Sequence, residues 1–63
     1  MPIVTIQQFP RPLEQKRELA RRITEAFVEV YGAKEEAVQV FFSEIDGEGW
    51  AKGGVMGCDK TDK

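Results

Sequence analysis

The sequence predicts an α/β fold: a small β-α-β subunit with parallel strands and a short C-terminal hairpin. Three observations carry that prediction. A β-branched run, Ile3-Val4-Thr5-Ile6, opens the chain as a strand. Apolar residues then recur at three- and four-residue spacing as far as Tyr31, the mark of a helix with one buried face. Between Val38 and Ile45 the pattern changes to alternation, which reads as a second strand. A strand, a long helix and a strand make a right-handed crossover unit with parallel strands.

The first strand runs from Ile3 to Gln8 and ends at Phe9-Pro10-Arg11-Pro12. The two prolines stiffen the connection around Arg11, because each disfavours helix in the residue before it. Pro12 suits the first helical position, where the missing N–H costs nothing. The helix spans Leu13 to Tyr31, with Leu19, Ala20, Ile23, Ala26, Phe27, Val30 and Tyr31 as its buried face. Glu18 and Arg22 on the opposite face are spaced for an i,i+4 pair. Gly32 supplies a left-handed stop.

Lys34-Glu35-Glu36 can form a single turn before the second strand. In that strand Val38, Val40 and Phe42 share one face, and Gln39, Phe41 and Ser43 the other. The helix covers only one face of the sheet, so Phe41 is left toward water and calls for a partner chain. Asp46-Gly47-Glu48-Gly49 is a turn, and Trp50 to Met56 a hairpin around Gly53-Gly54. One domain spans 1–63, with a polar tail from about residue 58 expected to be mobile.

Composition narrows the function classes. A 63-residue chain removes only about 60% of its unfolded surface from water. Small domains offset that shortfall with disulfides, metal or self-association. Cys58 is the only cysteine and there is no histidine. Intrachain disulfides are therefore excluded, no metal site or cofactor is expected, and a homo-oligomer remains. A net charge of −2 argues against nucleic acid as the main partner. No apolar run approaches the roughly 18 residues of a membrane span, and no signal peptide is visible. An unpaired cysteine fits a reducing cytoplasm.

Three residues stand out as carriers of chemistry. Pro2 follows the initiator Met, which is normally removed before a small residue, leaving a secondary amine at the head of a strand. In a domain without histidine that amine is a candidate general base, although a proline in second place is also compatible with an ordinary chain end. Arg11 lies in the stiffened loop at a strand end, where sheets of this kind present ligand-binding groups. A guanidinium there can grip a carboxylate with two parallel hydrogen bonds, or it can simply be solvated. Trp50, beside Gly49, either walls a pocket or packs the hairpin against a neighbour. The carboxylates of Asp46 and Glu48 read as solvated turn residues.

Taken together, Met1-Pro2-Ile3, Arg11-Pro12-Leu13-Glu14-Gln15-Lys16, Val38 to Glu44 and Trp50-Ala51-Lys52-Gly53-Gly54 form an ordered set. The chain resembles the 4-oxalocrotonate tautomerase family from Met1 to about Met56. The resemblance implies a subunit that pairs into a four-stranded sheet backed by two helices, commonly assembled as a hexamer of three dimers. It implies a tautomerase interconverting enol and keto forms of small 2-hydroxy-dienoate or enolpyruvate-type acids. Pro2 would be the acid/base catalyst, Arg11 the carboxylate ligand and Trp50 the apolar wall, where the family usually has Phe. At one position the chain departs from the pattern: Gln39 stands where well-characterised members carry an Arg that polarises a substrate oxygen. The family's dehalogenase and hydratase branches carry an activating acid at what is here Lys52, which sets this chain apart from them.

Physical chemistry supports the base independently. An unperturbed α-amino group titrates near 8. Burial beside Trp50 and the charge of Arg11 would lower it toward 7, the useful range for a general base. Two readings follow: a proline-based tautomerase, or an oligomeric carboxylate-binding module of the same fold with little activity, for which Gln39 is the best support.

Overall fold

The computed structural model describes residues 1–59. Strand β1 (Ile3–Gln8), helix α1 (Leu13–Tyr31) and strand β2 (Gln39–Glu44) form the crossover unit. The two strands pair in parallel, from Ile3 opposite Gln39 to Gln8 opposite Glu44. β3 (Ala51–Lys52) and β4 (Val55–Met56) make a separate antiparallel hairpin. Its turn places Gly53 and Gly54 at φ 63° and 83°. Two successive left-handed residues suit a two-residue hairpin, and glycine adopts them without steric cost.

Boundaries shift by a residue where hydrogen bonds compete. Val38 donates to the Glu35 carbonyl at 3.3 Å, closing a 3-10 turn over Glu35–Ala37, so β2 begins at Gln39. Pro12 takes the N-cap of α1 rather than its first helical position. Its carbonyl accepts from Gln15 and Lys16 at 3.1 and 3.2 Å. Gly32 ends the helix at φ 70°, the left-handed stop the sequence predicts. Cys58 and Asp59, expected in a polar tail, fall in a second 3-10 turn, Gly57–Asp59. The remainder of that expected tail lies outside the described residues.

Alternation sorts the sheet. Val4, Ile6, Val40 and Phe42 are half-buried on the side of α1, whereas Ile3 and Phe41 on the other face stay 60% and 52% exposed. The helical face is less covered than the sequence expectation: Ala20, Ile23 and Phe27 are half-buried, but Leu19 and Ala26 are exposed, and at the helix end Val30 and Tyr31 are 75% and 74% exposed. Length explains the last two. Nineteen helical residues reach about 28 Å, and a six-residue strand about 20 Å, so the last helical turn runs past the sheet.

Among the described residues none is fully buried. The accessible surface is 5123 Å², against roughly 4,100 Å² for a compact monomer of this mass. The Cα radius of gyration is 15.4 Å, where about 11 Å is usual for this length. The single chain is open, with an uncovered sheet face.

Candidate active site

The candidate residues gather at opposite ends of the sheet. At the starting end, the Gln39 backbone N–H donates to the Pro2 carbonyl at 3.0 Å, extending the ladder to the chain terminus. Pro2 is half-buried, and Met1 before it is 81% exposed. The Gln39 side-chain amide reaches the Met1 sulfur. Parallel pairing is the reason these residues meet, since it brings the first residues of both strands together.

Arg11 and Trp50 lie at the other end. Six strand residues at about 3.3 Å each put roughly 20 Å between the two groups. One chain therefore does not bring Pro2, Arg11 and Trp50 into one pocket, and the burial and charge expected to act on Pro2 do not come from its own subunit.

The Arg11 end is built in detail. The Arg11 Nε donates to Gln15 Oε1 at 3.1 Å, an i,i+4 contact between loop and helix that fixes the guanidinium plane. Lys16 on the next position pairs with Glu44 at the end of β2. The Lys16 ammonium, and to a lesser degree the Arg11 backbone N–H, hold the Glu44 carboxyl below its ordinary range. Gln8, Phe9, Arg11, Gln15, Lys16 and Leu19 enclose a cleft of about 440 Å³.

Trp50 closes the same end. Its ring stands edge-on to Phe9, with centroids 5.5 Å apart and planes at 87°. The glycine that Trp50 approaches is Gly57, not Gly49: a Cβ on Gly57 would lie 2.7 Å from Trp50 Cε3. Gly57 N–H donates to the Trp50 carbonyl at 2.7 Å, and Cys58 N–H to the Gly47 carbonyl at 2.9 Å, folding the hairpin back over the ring. Asp46 serves its own turn, where Oδ1 accepts from the Glu48 and Gly49 N–H groups at 3.1 and 2.9 Å.

Phe9, Gln15, Lys16, Glu44 and Gly57 escaped the sequence reading as site residues. Gln15 carried a signal in its i,i+4 spacing from Arg11; Lys16, paired across the chain with Glu44, and Gly57 carried none. No group of metal-binding side chains occurs among the described residues. Among them no helix is long and apolar enough to cross a membrane.

A β-α-β chain with a proline at the head of its sheet and an arginine–tryptophan cluster at the foot has the architecture of a small tautomerase. The chain belongs to the tautomerase family, whose model, described as tautomerase enzyme, matches residues 2–60, and it is an isomerase. A probable tautomerase of Bacillus cereus is 41% identical over 61 residues, covering 95% of this chain and 100% of the relative. A 2-hydroxymuconate tautomerase of Bacillus subtilis is 42% identical over 55 residues, covering 86% of this chain and 89% of the relative. The crystal structure of a 4-oxalocrotonate tautomerase homologue superposes with a TM-score of 0.89 at 38% identity, covering 98% of this chain and 100% of that one. A second such homologue gives 0.84 at 38% identity, covering 95% and 100%. Family membership supports tautomerase activity.

Proposed function

We propose that the chain ketonises small enol carboxylic acids, of the 2-hydroxy-dienoate or enolpyruvate type, using the Pro2 nitrogen exposed by loss of Met1. The bond from Gln39 to the Pro2 carbonyl carries this reading, because it fixes the residue whose nitrogen must be presented at one angle. The amine takes the proton of the enol hydroxyl. The C–O bond becomes a carbonyl, the double bonds shift along the chain, and the ammonium returns the proton to carbon. The exchange is isomerisation, with no redox partner and no cofactor.

Arg11 holds the substrate carboxylate, Trp50 with Phe9 supplies the apolar wall, and Gln39 donates to a polar oxygen near Pro2. The separation of roughly 20 Å within a chain is bridged by self-association as a dimer or a hexamer of three dimers, with Pro2 of one copy facing Arg11 and Trp50 of others. Two chains pairing their sheets edge to edge would make a four-stranded sheet with two helices, and packing three such pairs together would cover the face of Ile3 and Phe41. A single domain over 1–63, acting in a reducing cytoplasm with Cys58 unpaired, is part of the same reading.

Ketonisation of an enol acid, followed by ultraviolet absorbance on protein of verified N-terminal mass, tests the base. kcat/KM should rise with pH through one ionisation between about 6 and 8, reporting the free amine. Pro2→Ala keeps an amine but loses the rigid secondary one, so activity should fall with the fold intact. Unchanged turnover in that variant, or full activity with Met1 retained, rejects Pro2 as the base.

A further inference from the structure

Gln8 ends β1 with a donor that has nothing to bond. Its Nε2 is covered by the protein and has no hydrogen-bond partner. Leaving a buried amide donor unpaired is destabilising, so an apolar residue of similar size would serve the fold better. The same side chain lines the cleft of Arg11, Gln15 and Lys16. The terminal torsion of a glutamine is broad and roughly two-fold, so the amide can turn about that bond toward the cleft it lines without moving the rest of the side chain.

The charges of that cleft can be counted. Lys16 is paired with Glu44, so this cation is compensated. Arg11 gives its Nε to the neutral Gln15, which leaves its charge uncompensated by the ion pairs of the described residues. The cleft thus offers one net positive charge and, at Gln8, one unsatisfied neutral donor. A single carboxylate matches this set: one oxygen or both on the guanidinium, with the amide adding a bond to the same group. Phe9 and Leu19 on the remaining wall suit an apolar chain behind that carboxylate.

We infer that Gln8 is a substrate-binding, specificity-determining residue, donating beside Arg11 to the carboxylate of a monocarboxylate enol acid. This rests on the reading that Arg11 grips the substrate. A second carboxylate would find no further uncompensated cation among the residues lining this cleft and, at the Pro2 end, the neutral amide of Gln39.

The probe is trans-cinnamate, the carbon frame of an aryl enolpyruvate without the enol hydroxyl, titrated calorimetrically into the intact protein. Gln8→Leu should weaken binding about tenfold, since a hydrogen bond to a charged group is lost. It should also raise Tm, because the unpaired amide is gone. Gln8→Glu keeps the shape, sets a negative charge against the ligand and should weaken binding further at pH 8 than at pH 5. Cinnamate affinity unchanged in both variants overturns the inference. A changed assembly state by light scattering in Gln8→Leu also overturns it, by making Gln8 a contact between copies. Arg11→Ala is the separate control: if it leaves affinity intact, the carboxylate reading of Arg11 fails, whatever Gln8 does.

Discussion

Lys16 and Glu44 are joined by an ion pair between the first turns of α1 and the last residue of β2. Their side chains are only 22% and 34% exposed, the best shielded of the ion pairs the described residues make. Helix-surface pairs such as Arg22 with Glu18, at 2.7 Å, stand in open solvent and contribute little. The Lys16–Glu44 pair ties the loop carrying Arg11 to both strands, since Gln8 lies opposite Glu44 in the ladder.

The pair makes stability pH-dependent. Lys16 lowers the Glu44 carboxyl in the folded state. A depressed carboxylate contributes stability that is present above its unfolded value, about 4.3, and lost as pH falls through its folded value. Wild-type Tm should therefore fall between pH 6 and pH 3 more steeply than that of Glu44→Gln, measured at one protein concentration. Parallel curves would show that the pair has no such effect. Glu18, lowered by Arg21 and then Arg22, acts with the same sign but sits in solvent.

Gly57 is required by the indole beside it. A Cβ there would meet Trp50 Cε3 at 2.7 Å and Cζ3 at 3.1 Å, and a ring edge cannot yield as a flexible side chain can. Gly57→Ala should push Trp50 off its edge contact with Phe9, shift the tryptophan emission to the red, and cost about 1–3 kcal/mol as overpacking does. An unshifted emission with unchanged stability would mean that the ring does not pack where it is placed.

How much of this was legible in the sequence follows from the range of each interaction. Helix, strands and hairpin are local patterns: Gly32, Gly53 and Gly54 announce their left-handed turns, and alternation in Val38 to Ile45 announces the strand faces. Val30 and Tyr31 are exposed although the pattern predicts them buried, because periodicity reports which side of a helix is apolar, not where the sheet beneath it stops. Pro2, Arg11, Gln39 and Trp50 could be named from residue type and family pattern. Their arrangement could not: which end of the sheet each occupies depends on the parallel register, and the contact of Gly57 with Trp50 joins residues whose types carry no signal for it.

Self-association is a matter of uncovered surface. With no described residue fully buried and Ile3 and Phe41 open on one sheet face, the isolated chain lacks a core. Light scattering at micromolar concentration should give a multiple of the subunit mass, and Phe41→Glu should lower that mass and Tm together. A stable, folded monomer in the wild type would contradict the reading.

On the proposed reading, Gln39 sets which substrates are held at the Pro2 end. It faces Ile3 across the ladder and its N–H is bonded to the Pro2 carbonyl, so its side chain starts next to Pro2. A charge-assisted hydrogen bond is worth roughly 1.5–3 kcal/mol, against about 1 for a neutral one. A Gln in place of an Arg therefore forfeits on the order of 1–2 kcal/mol of transition-state binding, roughly 5- to 30-fold in rate. The loss should fall on dicarboxylates, whose second charge has only a neutral amide to meet, and not on monocarboxylates held at Arg11. Gln39→Arg should accordingly raise kcat/KM for a dicarboxylate dienol about 5- to 30-fold and leave an aryl enolpyruvate nearly unchanged. Arg11→Ala should impair both. The comparison is made by steady-state kinetics on the two substrates with the same enzyme preparations. Equal gains on both, or none on either, would place Gln39 away from the second charge and leave the discrimination to some other residue.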